Sequence, residues 1–121
     1  IKLGLSNELV LGNLNAYRDW GHAKDYVKGM WLMLQQDKAE DFVLSTGITH
    51  SVNDLVDYVF KKLELDRNQY VKTDKKFERA EELHFLKGDS TKAKTILGWT
   101  TDYTFESMLD EMIEYWLNKL E

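Results

Sequence analysis

The sequence predicts an α/β fold in which helices alternate with a few short strands. Apolar residues recur at helical spacing in four stretches of the chain, and short runs of strand-forming residues lie between them. The chain has 121 residues, of which 43% are hydrophobic and 12% aromatic. This length and composition are sufficient for one buried core and are typical of a folded globular segment.

Each predicted helix combines an apolar stripe with a capping signal. Ser51, followed three residues later by Asp54, gives the second helix a capping-box pattern. A cap at Asp89 or Ser90 begins the third helix, and Gly98 ends it. The predicted helices span residues 23–34, 52–63, 91–97 and 105–120. We expect the first helix to face the core with Ala23, Tyr26, Val27, Met30, Trp31 and Leu34.

The segments between the helices are predicted as strands, loops and one helix end. Residues 8–11 and 41–46 are strand candidates, and residues 69–73 form a weaker one. Residues 73–82 are rich in lysine and glutamate and are predicted to form a loop. The opening residues 1–5 have the pattern of a last helical turn ended by Gly4, which suggests a piece of a larger protein.

Composition excludes several classes of function. A net charge of −5 argues against nonspecific binding to nucleic acid or to an anionic membrane. No apolar run is long enough to cross a bilayer, and the N-terminus is not a secretory signal. The absence of cysteine excludes disulfides and thiolate metal sites, and the three histidines are too scattered for a metal site. These features predict a soluble cytoplasmic protein without a bound metal.

Familiar catalytic motifs are missing or are explained by helix geometry. The seven glycines form neither a G-x-G-x-x-G fingerprint nor a P-loop, so the chain has no recognisable dinucleotide site. Two Tyr-x-x-x-Lys pairs occur, Tyr58/Lys62 and Tyr115/Lys119. Both flank apolar stripes of predicted helices, where such i,i+4 pairs arise by chance. We interpret both pairs as helix-surface residues. Trp20, Trp31 and Trp99 are predicted to be packing residues, and Asp89 is predicted to be a helix cap.

Arg18 is the most informative candidate for binding. It follows a Gly-Asn turn and comes shortly before the first predicted helix, whose N-terminus would favour an anion. A planar, permanently charged guanidinium in this position suits a phosphate or diphosphate. The alternative is a surface ion pair with the neighbouring Asp19.

Four segments, in the same order, resemble the GDP-mannose 4,6-dehydratase family. The string LGNLNAYRDWGHAKDYV is similar to the family's LGN-x-x-x-x-RDWGHAKDYV, and EDFVLSTG to its E-D-F-V-x-A-T-G. RAEELHFLKGD resembles R-P-A-E-V-x-x-L-x-G-D, and the following DSTKA and LGW also match. These segments lie at residues 11–27, 40–47, 79–89 and 89–99.

The resemblance implies a place for this chain in a larger enzyme. Residues 1–121 would be a single C-terminal segment that binds the sugar nucleotide in an extended short-chain dehydrogenase/reductase, a Rossmann-type enzyme. The N-terminal cofactor domain would lie outside this chain. The whole enzyme would be a lyase that converts GDP-mannose to GDP-4-keto-6-deoxymannose with NADP, and it would be a homo-oligomer, either a dimer or a tetramer. No catalytic residue is expected in this segment.

The resemblance also implies individual binding residues. Arg18 and Arg79 match arginines that hold the nucleotide diphosphate, and Glu82 matches an acid that contacts the guanosine. Ala80 stands where the family has proline, which should loosen the loop carrying Arg79. The full set of expected substrate-binding residues is Lys2, Leu11, Gly12, Asn13, Arg18, Arg79 and Glu82.

Two alternatives remain open from the sequence. The first is a related GDP-sugar reductase or epimerase with the same substrate-binding part. The second is a non-catalytic module that binds nucleotides or a partner protein.

Overall fold

The structure, a computed structural model, describes residues 1–120 and contains two compact units. Unit 1 consists of Ile1–Arg18 and His50–Leu86, and unit 2 of Asp19–Thr49 and Lys87–Glu121. The assignment of the whole chain to one substrate-binding segment stays a prediction.

Helices and short strands alternate along the chain, as the sequence predicts. The strands are β1 (Leu9–Leu11), β2 (Tyr17–Asp19), β3 (Thr49–Ser51) and β4 (Val71–Thr73). The α-helices are α1 (Ala23–Leu34), α2 (Val52–Lys62), α3 (Arg67–Tyr70) and α4 (Phe105–Leu120). A 3₁₀ turn (Lys75–Phe77) and a π-helical turn (Ala93–Leu97) complete the set.

Unit 1 contains a parallel strand pair that places its loops. β1 pairs with β4 in the register Leu9↔Val71, Val10↔Lys72 and Leu11↔Thr73. The pairing continues past the strands, because the Asp74 N–H donates to the Leu11 carbonyl over 2.9 Å. The segment that follows β1 is therefore held beside the loop that follows β4. β2 and β3 form the second two-stranded sheet.

Helix α2 supplies most of the core of unit 1. Val56 and Phe60 are buried on its inner face, and the Phe60 ring packs against Tyr70 with centroids 6.4 Å apart. The predicted capping box is confirmed. Ser51 Oγ accepts from the Asp54 N–H over 3.0 Å, and Asp54 Oδ2 accepts from the Ser51 N–H over 2.7 Å.

We expect this capping box to make stability depend on pH. The Ser51 N–H bond holds the pKa of Asp54 below its usual range. A carboxylate with a lowered folded-state pKa stabilises the fold above its unfolded pKa, and this contribution is lost as pH falls through the folded value. Asp54→Asn should therefore cost on the order of 0.5 kcal/mol at neutral pH, and the difference from wild type should shrink below about pH 4.

Urea unfolding at several pH values measures this difference. Asp37→Asn is the matched control, because Asp37 is an exposed residue of the loop after α1 and its substitution should be neutral at every pH. A constant difference between Asp54→Asn and wild type from neutral to acidic pH would contradict the assignment.

The core of unit 2 is built around Trp99. Trp99 is fully buried, and its indole Nε1 donates to the Asp25 carbonyl over 2.7 Å. The Asp25 carboxylate accepts from the backbone N–H groups of Asp102, over 2.8 Å, and Tyr103, over 3.2 Å. These bonds tie α1 to residues 99–103. The residues packed around Trp99 are Ala93, Leu97, Tyr26, Leu32, Met33, Phe42 and Leu44.

The packing face of α1 differs from the predicted one. Asp25 and Gly29 are the buried residues of this helix. A Cβ on Gly29 would lie 2.5 Å from Leu44 and 3.1 Å from the Trp99 indole nitrogen, so the close approach of these side chains requires glycine. The predicted stripe is largely exposed instead, at Val27, Met30, Trp31 and Leu34. The packing role predicted for Trp31 is therefore wrong within the described chain, and that for Trp99 is confirmed.

Two further predictions of secondary structure are wrong. Residues 41–46 are not a strand, because they have no ladder partner among residues 1–120, although Phe42 and Leu44 pack inward and Val43 is exposed. Residues 1–5 form a turn rather than a helix end. The Gly4 N–H donates to the Ile1 carbonyl over 3.0 Å, and Gly4 has φ +73°.

The third predicted helix is present as two helical residues, 91 and 92, followed by the π-helical turn Ala93–Leu97, and glycine ends it as expected. Gly98 has φ +64°, a left-handed conformation that favours glycine, and the Trp99 N–H donates to the Ala93 carbonyl over 3.3 Å. The N-cap of the π-helical turn is Lys92, which makes no side-chain capping bond, and Asp89 instead forms a turn with Thr91 ahead of it. Asp89 Oδ1 accepts from the Thr91 N–H and hydroxyl, and the hydroxyl bond lowers the pKa of Asp89 most.

Among residues 1–120, no helix combines the length and apolar character needed to span a bilayer. The cytoplasmic location stays a prediction.

Candidate functional site

Arg18 lies in strand β2 and not at a helix end. Helix α1 begins five residues later, at Ala23, and its N-cap is His22, whose Nδ1 accepts from the Lys24 N–H over 3.0 Å. The expected contribution of the α1 N-terminus to anion binding at Arg18 stays a prediction. The Arg18 side chain makes its hydrogen bonds and its salt bridge within unit 1.

The Arg18 guanidinium is fixed by three acceptors. Nη1 donates to the backbone carbonyls of Tyr17, over 2.7 Å, and Leu83, over 2.6 Å. Nη2 forms a salt bridge with Glu82 Oε1 at 2.6 Å, and these two side chains are only 25% and 19% exposed. The structure thus brings together two of the predicted binding residues, in a partly buried and well-oriented pair.

The alternative ion pair between Arg18 and Asp19 does not describe these residues. Asp19 Oδ1 accepts from the N–H of Thr46 over 2.8 Å and from its hydroxyl over 2.6 Å. Asp19 Oδ2 accepts from the Gly47 N–H over 2.9 Å. Asp19 thus organises a turn of unit 2, and Arg18 pairs with Glu82.

A parallel bridge places Glu82 beside β2. The Tyr17 N–H donates to the His84 carbonyl over 2.8 Å, and the Leu86 N–H donates to the Tyr17 carbonyl over 3.1 Å. The rings of Tyr17 and Phe85 also pack, with centroids 6.1 Å apart. This pairing aligns the segment that contains Glu82 with the strand that contains Arg18.

Next to this pair lies an open cavity of about 500 Å³. Three predicted residues, Asn13, Arg79 and Glu82, line it. Its size falls in the range of about 300–1,000 Å³ that is usual for small-molecule sites. The other lining residues are Glu78, Ala80, Glu81 and His84. The cavity wall therefore combines three carboxylates with one guanidinium, one amide and one imidazole.

Leu11 and Gly12 are not among the residues that line the cavity, but Gly12 lies against the loop that leads to Arg79. A Cβ on Gly12 would come within 2.5 Å of the Phe77 carbonyl oxygen and 2.8 Å of its carbon. Both are backbone atoms, so neither can rotate away. The backbone at Gly12 therefore approaches the loop just before Arg79 as closely as only glycine allows. Asn13 closes a local turn there, because its Oδ1 accepts from the Asn15 N–H over 2.9 Å.

Lys2 is placed elsewhere in unit 1. Its ammonium donates to the Leu63 carbonyl over 2.8 Å, at the C-terminal end of α2. A cation in that position satisfies a free carbonyl and complements the helix dipole. Lys2 is not among the residues that line the cavity.

The sequence reasoning did not single out three lining residues, Glu78, Glu81 and His84. All three flank or lie within the R-x-x-E motif that carries Arg79 and Glu82. Their proximity to Arg79 along the chain was the available signal, but in a charged loop it does not distinguish a lining residue from one that faces solvent.

The two Tyr-x-x-x-Lys pairs occupy helix surfaces. Lys119 Nζ lies 3.4 Å from Tyr115 Oη, and both side chains are exposed on α4. Tyr58 and Lys62 lie one turn apart on α2. Neither pair is among the residues that line the cavity.

The fold identifies the class of protein. The chain superposes on RMD from Pseudomonas aeruginosa, solved with NADPH, with a TM-score of 0.85 at 18% identity, covering 98% of this chain and 39% of the other. It superposes on UDP-glucose 4-epimerase from Thermotoga maritima, solved with UDP-glucose, with a TM-score of 0.81 at 27% identity, covering 94% and 36%. This is the fold of Rossmann-type sugar-nucleotide epimerases and dehydratases, which confirms the predicted fold class.

The sequence comparison identifies the family. The profile of GDP-mannose 4,6 dehydratase matches residues 1–112. GDP-mannose 4,6 dehydratase 2 of Arabidopsis thaliana is 46% identical over 114 residues, which are 94% of this chain and 31% of that protein. The chain belongs to the GDP-mannose 4,6-dehydratase family, as the resemblance predicts. It spans about a third of the length of the curated relatives it matches.

Proposed function

We propose that this chain is the substrate-binding part of a GDP-mannose 4,6-dehydratase and that it binds the GDP-sugar in the cavity of unit 1. The arrangement of Arg18, Glu82 and Arg79 carries the proposal. Arg18 is oriented by carbonyls and paired with Glu82, and Glu82 and Arg79 line the same cavity. Family membership supports the choice of ligand, because relatives over 94% of the chain are named for GDP-mannose.

In this proposal the two arginines bind the diphosphate. The carbonyls of Tyr17 and Leu83 hold the plane of the Arg18 guanidinium before the ligand arrives, which lowers the entropic cost of binding. Arg79 lies on an exposed loop and would close onto the same group. Guanidinium groups suit this task because they can donate two parallel bonds to phosphate oxygens.

Glu82 and the segment around Asn13 would bind the guanosine. A carboxylate only accepts hydrogen bonds, so Glu82 would accept from a hydroxyl or N–H of the nucleoside while it remains beside Arg18. Leu11 and Gly12 would run alongside the base and ribose and keep the loop of Arg79 in place. Lys2 has no role in this proposal, because its ammonium serves the end of α2.

We assign no step of oxidation or elimination to residues of this chain. The proposed reaction oxidises the sugar at C4, eliminates water across C5 and C6 and returns the hydride to C6, which requires a nicotinamide cofactor. The glycines of this chain form no dinucleotide fingerprint, so its residues do not fit NADP. NADP would be bound by the remainder of a longer protein, and this segment would orient the sugar. The complete enzyme would be a homo-oligomer.

Incubation of the full-length protein with GDP-mannose and NADP tests the proposal. We expect a keto product lighter than the substrate by one water, detected by mass spectrometry. A product of unchanged mass with an inverted sugar centre would identify an epimerase instead. The absence of both binding and turnover would favour a non-catalytic interaction module. Tyr58→Phe and Tyr115→Phe are matched controls and should stay within a few-fold of wild type, because both tyrosines lie on helix surfaces.

A further inference from the structure

We propose that His84 is a further ligand-binding residue of the unit 1 cavity, and that its imidazolium form binds the diphosphate of the nucleotide sugar. The inference rests on the proposed function and adds a residue for which no role has been assigned. It predicts that nucleotide-sugar binding is tighter when the His84 side chain carries a positive charge than when it is neutral.

The position of His84 favours contact with the ligand. His84 lines the same cavity as Arg79 and Glu82. Its backbone is fixed, because its carbonyl accepts the Tyr17 N–H over 2.8 Å. The preceding residue, Leu83, accepts from the Arg18 guanidinium. The imidazole is therefore attached to a fixed point of the backbone, next to the residue that binds Arg18, and it lines the same cavity as Arg79.

The net charge of the cavity wall also favours a protonated imidazole. The charged side chains that line the cavity are Glu78, Arg79, Glu81 and Glu82, and Glu82 is paired with Arg18. Two carboxylates, Glu78 and Glu81, thus oppose one guanidinium, Arg79. With a neutral imidazole, the net charge of the cavity wall is therefore −1. A bound diphosphate with both phosphates esterified would bring two further negative charges into the cavity. Protonation of His84 brings the wall to neutrality without moving any other group.

The hydrogen-bonding groups of an imidazolium suit the diphosphate better than the nucleoside. Glu82 is an acceptor and suits the donors of a nucleoside, whereas an imidazolium donates from both ring nitrogens. The His84 imidazolium is a donor on the same wall as Arg79. It is therefore better suited to bind phosphate oxygens than a nucleoside hydroxyl, which would already donate to Glu82. A charge-assisted bond of this kind is stronger than a neutral one and depends on the protonation state.

Calorimetric titration of the full-length protein with GDP-mannose at about pH 6 and pH 8 tests the proposal. GDP-mannose is the correct probe because both of its phosphates are esterified and keep their charge over this range, unlike the terminal phosphate of GDP. We expect wild type to bind about tenfold more tightly at the lower pH. His84→Asn should remove this difference, and His84→Lys should bind tightly at both values.

Two controls separate the possible outcomes. His50→Asn removes a histidine of unit 1 that does not line the cavity and should keep the pH dependence. Guanosine lacks the diphosphate, so its affinity should not change with pH through His84. Circular dichroism of each variant checks that the fold persists.

The results distinguish this inference from the proposed function. Binding of GDP-mannose with the same pH dependence in wild type and His84→Asn, or with none in wild type, would overturn the role of His84 and leave the proposed function intact. Failure of wild type to bind GDP-mannose at either pH would overturn both. A pH dependence that His84→Asn abolishes for guanosine as well would assign His84 to the nucleoside and contradict its role at the diphosphate.

Discussion

Arg18→Ala should weaken GDP-mannose binding by about 2–4 kcal/mol in the full-length protein. The substitution removes a charged donor that is only a quarter exposed and that three acceptors hold in place. It also leaves Glu82 without its cation, so the cavity becomes more negative and repels the diphosphate. Calorimetric titration with GDP-mannose measures the loss directly.

Two companion variants separate the direct effect of Arg18 from the effect on Glu82. Arg18→Lys should recover part of the affinity, because an ammonium supplies charge but not the planar fork. Glu82→Gln keeps the shape of the acid and removes its charge, so Arg18 remains available to the diphosphate while the nucleoside loses a charged acceptor and faces a weaker, neutral amide oxygen. We therefore expect Glu82→Gln to weaken guanosine binding and Arg18→Ala to spare it. Unchanged GDP-mannose affinity in a folded Arg18→Ala variant would show that the salt bridge is only structural.

Trp99→Ala should cost about 3–5 kcal/mol of unfolding free energy. The side chain is fully buried, so its removal leaves a cavity among the residues of the unit 2 core. The substitution also removes the indole bond to the Asp25 carbonyl, one of the links between α1 and residues 99–103. A loss of this size is a large part of the stability of an ordinary small domain. Urea unfolding followed by far-UV circular dichroism measures it.

The chain offers a matched control in a second tryptophan. Trp31 is 60% exposed on α1, so Trp31→Ala should change the stability of the 121-residue chain by less than about 0.5 kcal/mol. Trp99→Phe retains most of the volume and should fall between the two, because it loses the indole donor and only part of the ring. Equal losses for Trp99→Ala and Trp31→Ala would show that the core is not organised around Trp99.

Local rules predicted the features of this fold that depend on neighbours along the chain. The cap at Ser51 with Asp54 and the left-handed Gly98 follow from backbone geometry within a few residues, and the structure has both. The packing face of α1 does not follow from such rules. Hydrophobicity selects Val27 and its neighbours, whereas the buried residues are Gly29 and Asp25, and the Asp25 carboxylate binds backbone N–H groups 77 and 78 positions away. A polar residue that is buried to bind distant backbone N–H groups has no signature in the local pattern.

The strand prediction for residues 41–46 is wrong for a related reason. Their alternation of inward Phe42 and Leu44 with outward Val43 is that of a strand. A strand also needs a partner for its backbone groups, and the alternation of side chains carries no information about that partner.

In the candidate site, too, the sequence predicts individual residues but not the contacts between distant ones. Arg18, Arg79 and Glu82 are found from a motif, and the structure adds that two of them bind each other. That contact depends on the pairing of Tyr17 with Phe85, which are 68 positions apart and which no local pattern connects. His84 was missed for the same reason, since only the folded loop shows which side chains of a charged stretch share one cavity.

The close approach at Gly12 limits how this protein can be re-engineered. A library that aims to change nucleotide preference would naturally randomise the residues around Asn13 and Arg79. Any side chain at Gly12 would push against the Phe77 backbone and displace the whole loop. Nearly all library variants with a substitution at Gly12 would therefore have a distorted cavity, whatever their other substitutions. Keeping codon 12 fixed while varying codons 13, 78, 81 and 84 would confine diversity to side chains that can change without moving the scaffold beneath them.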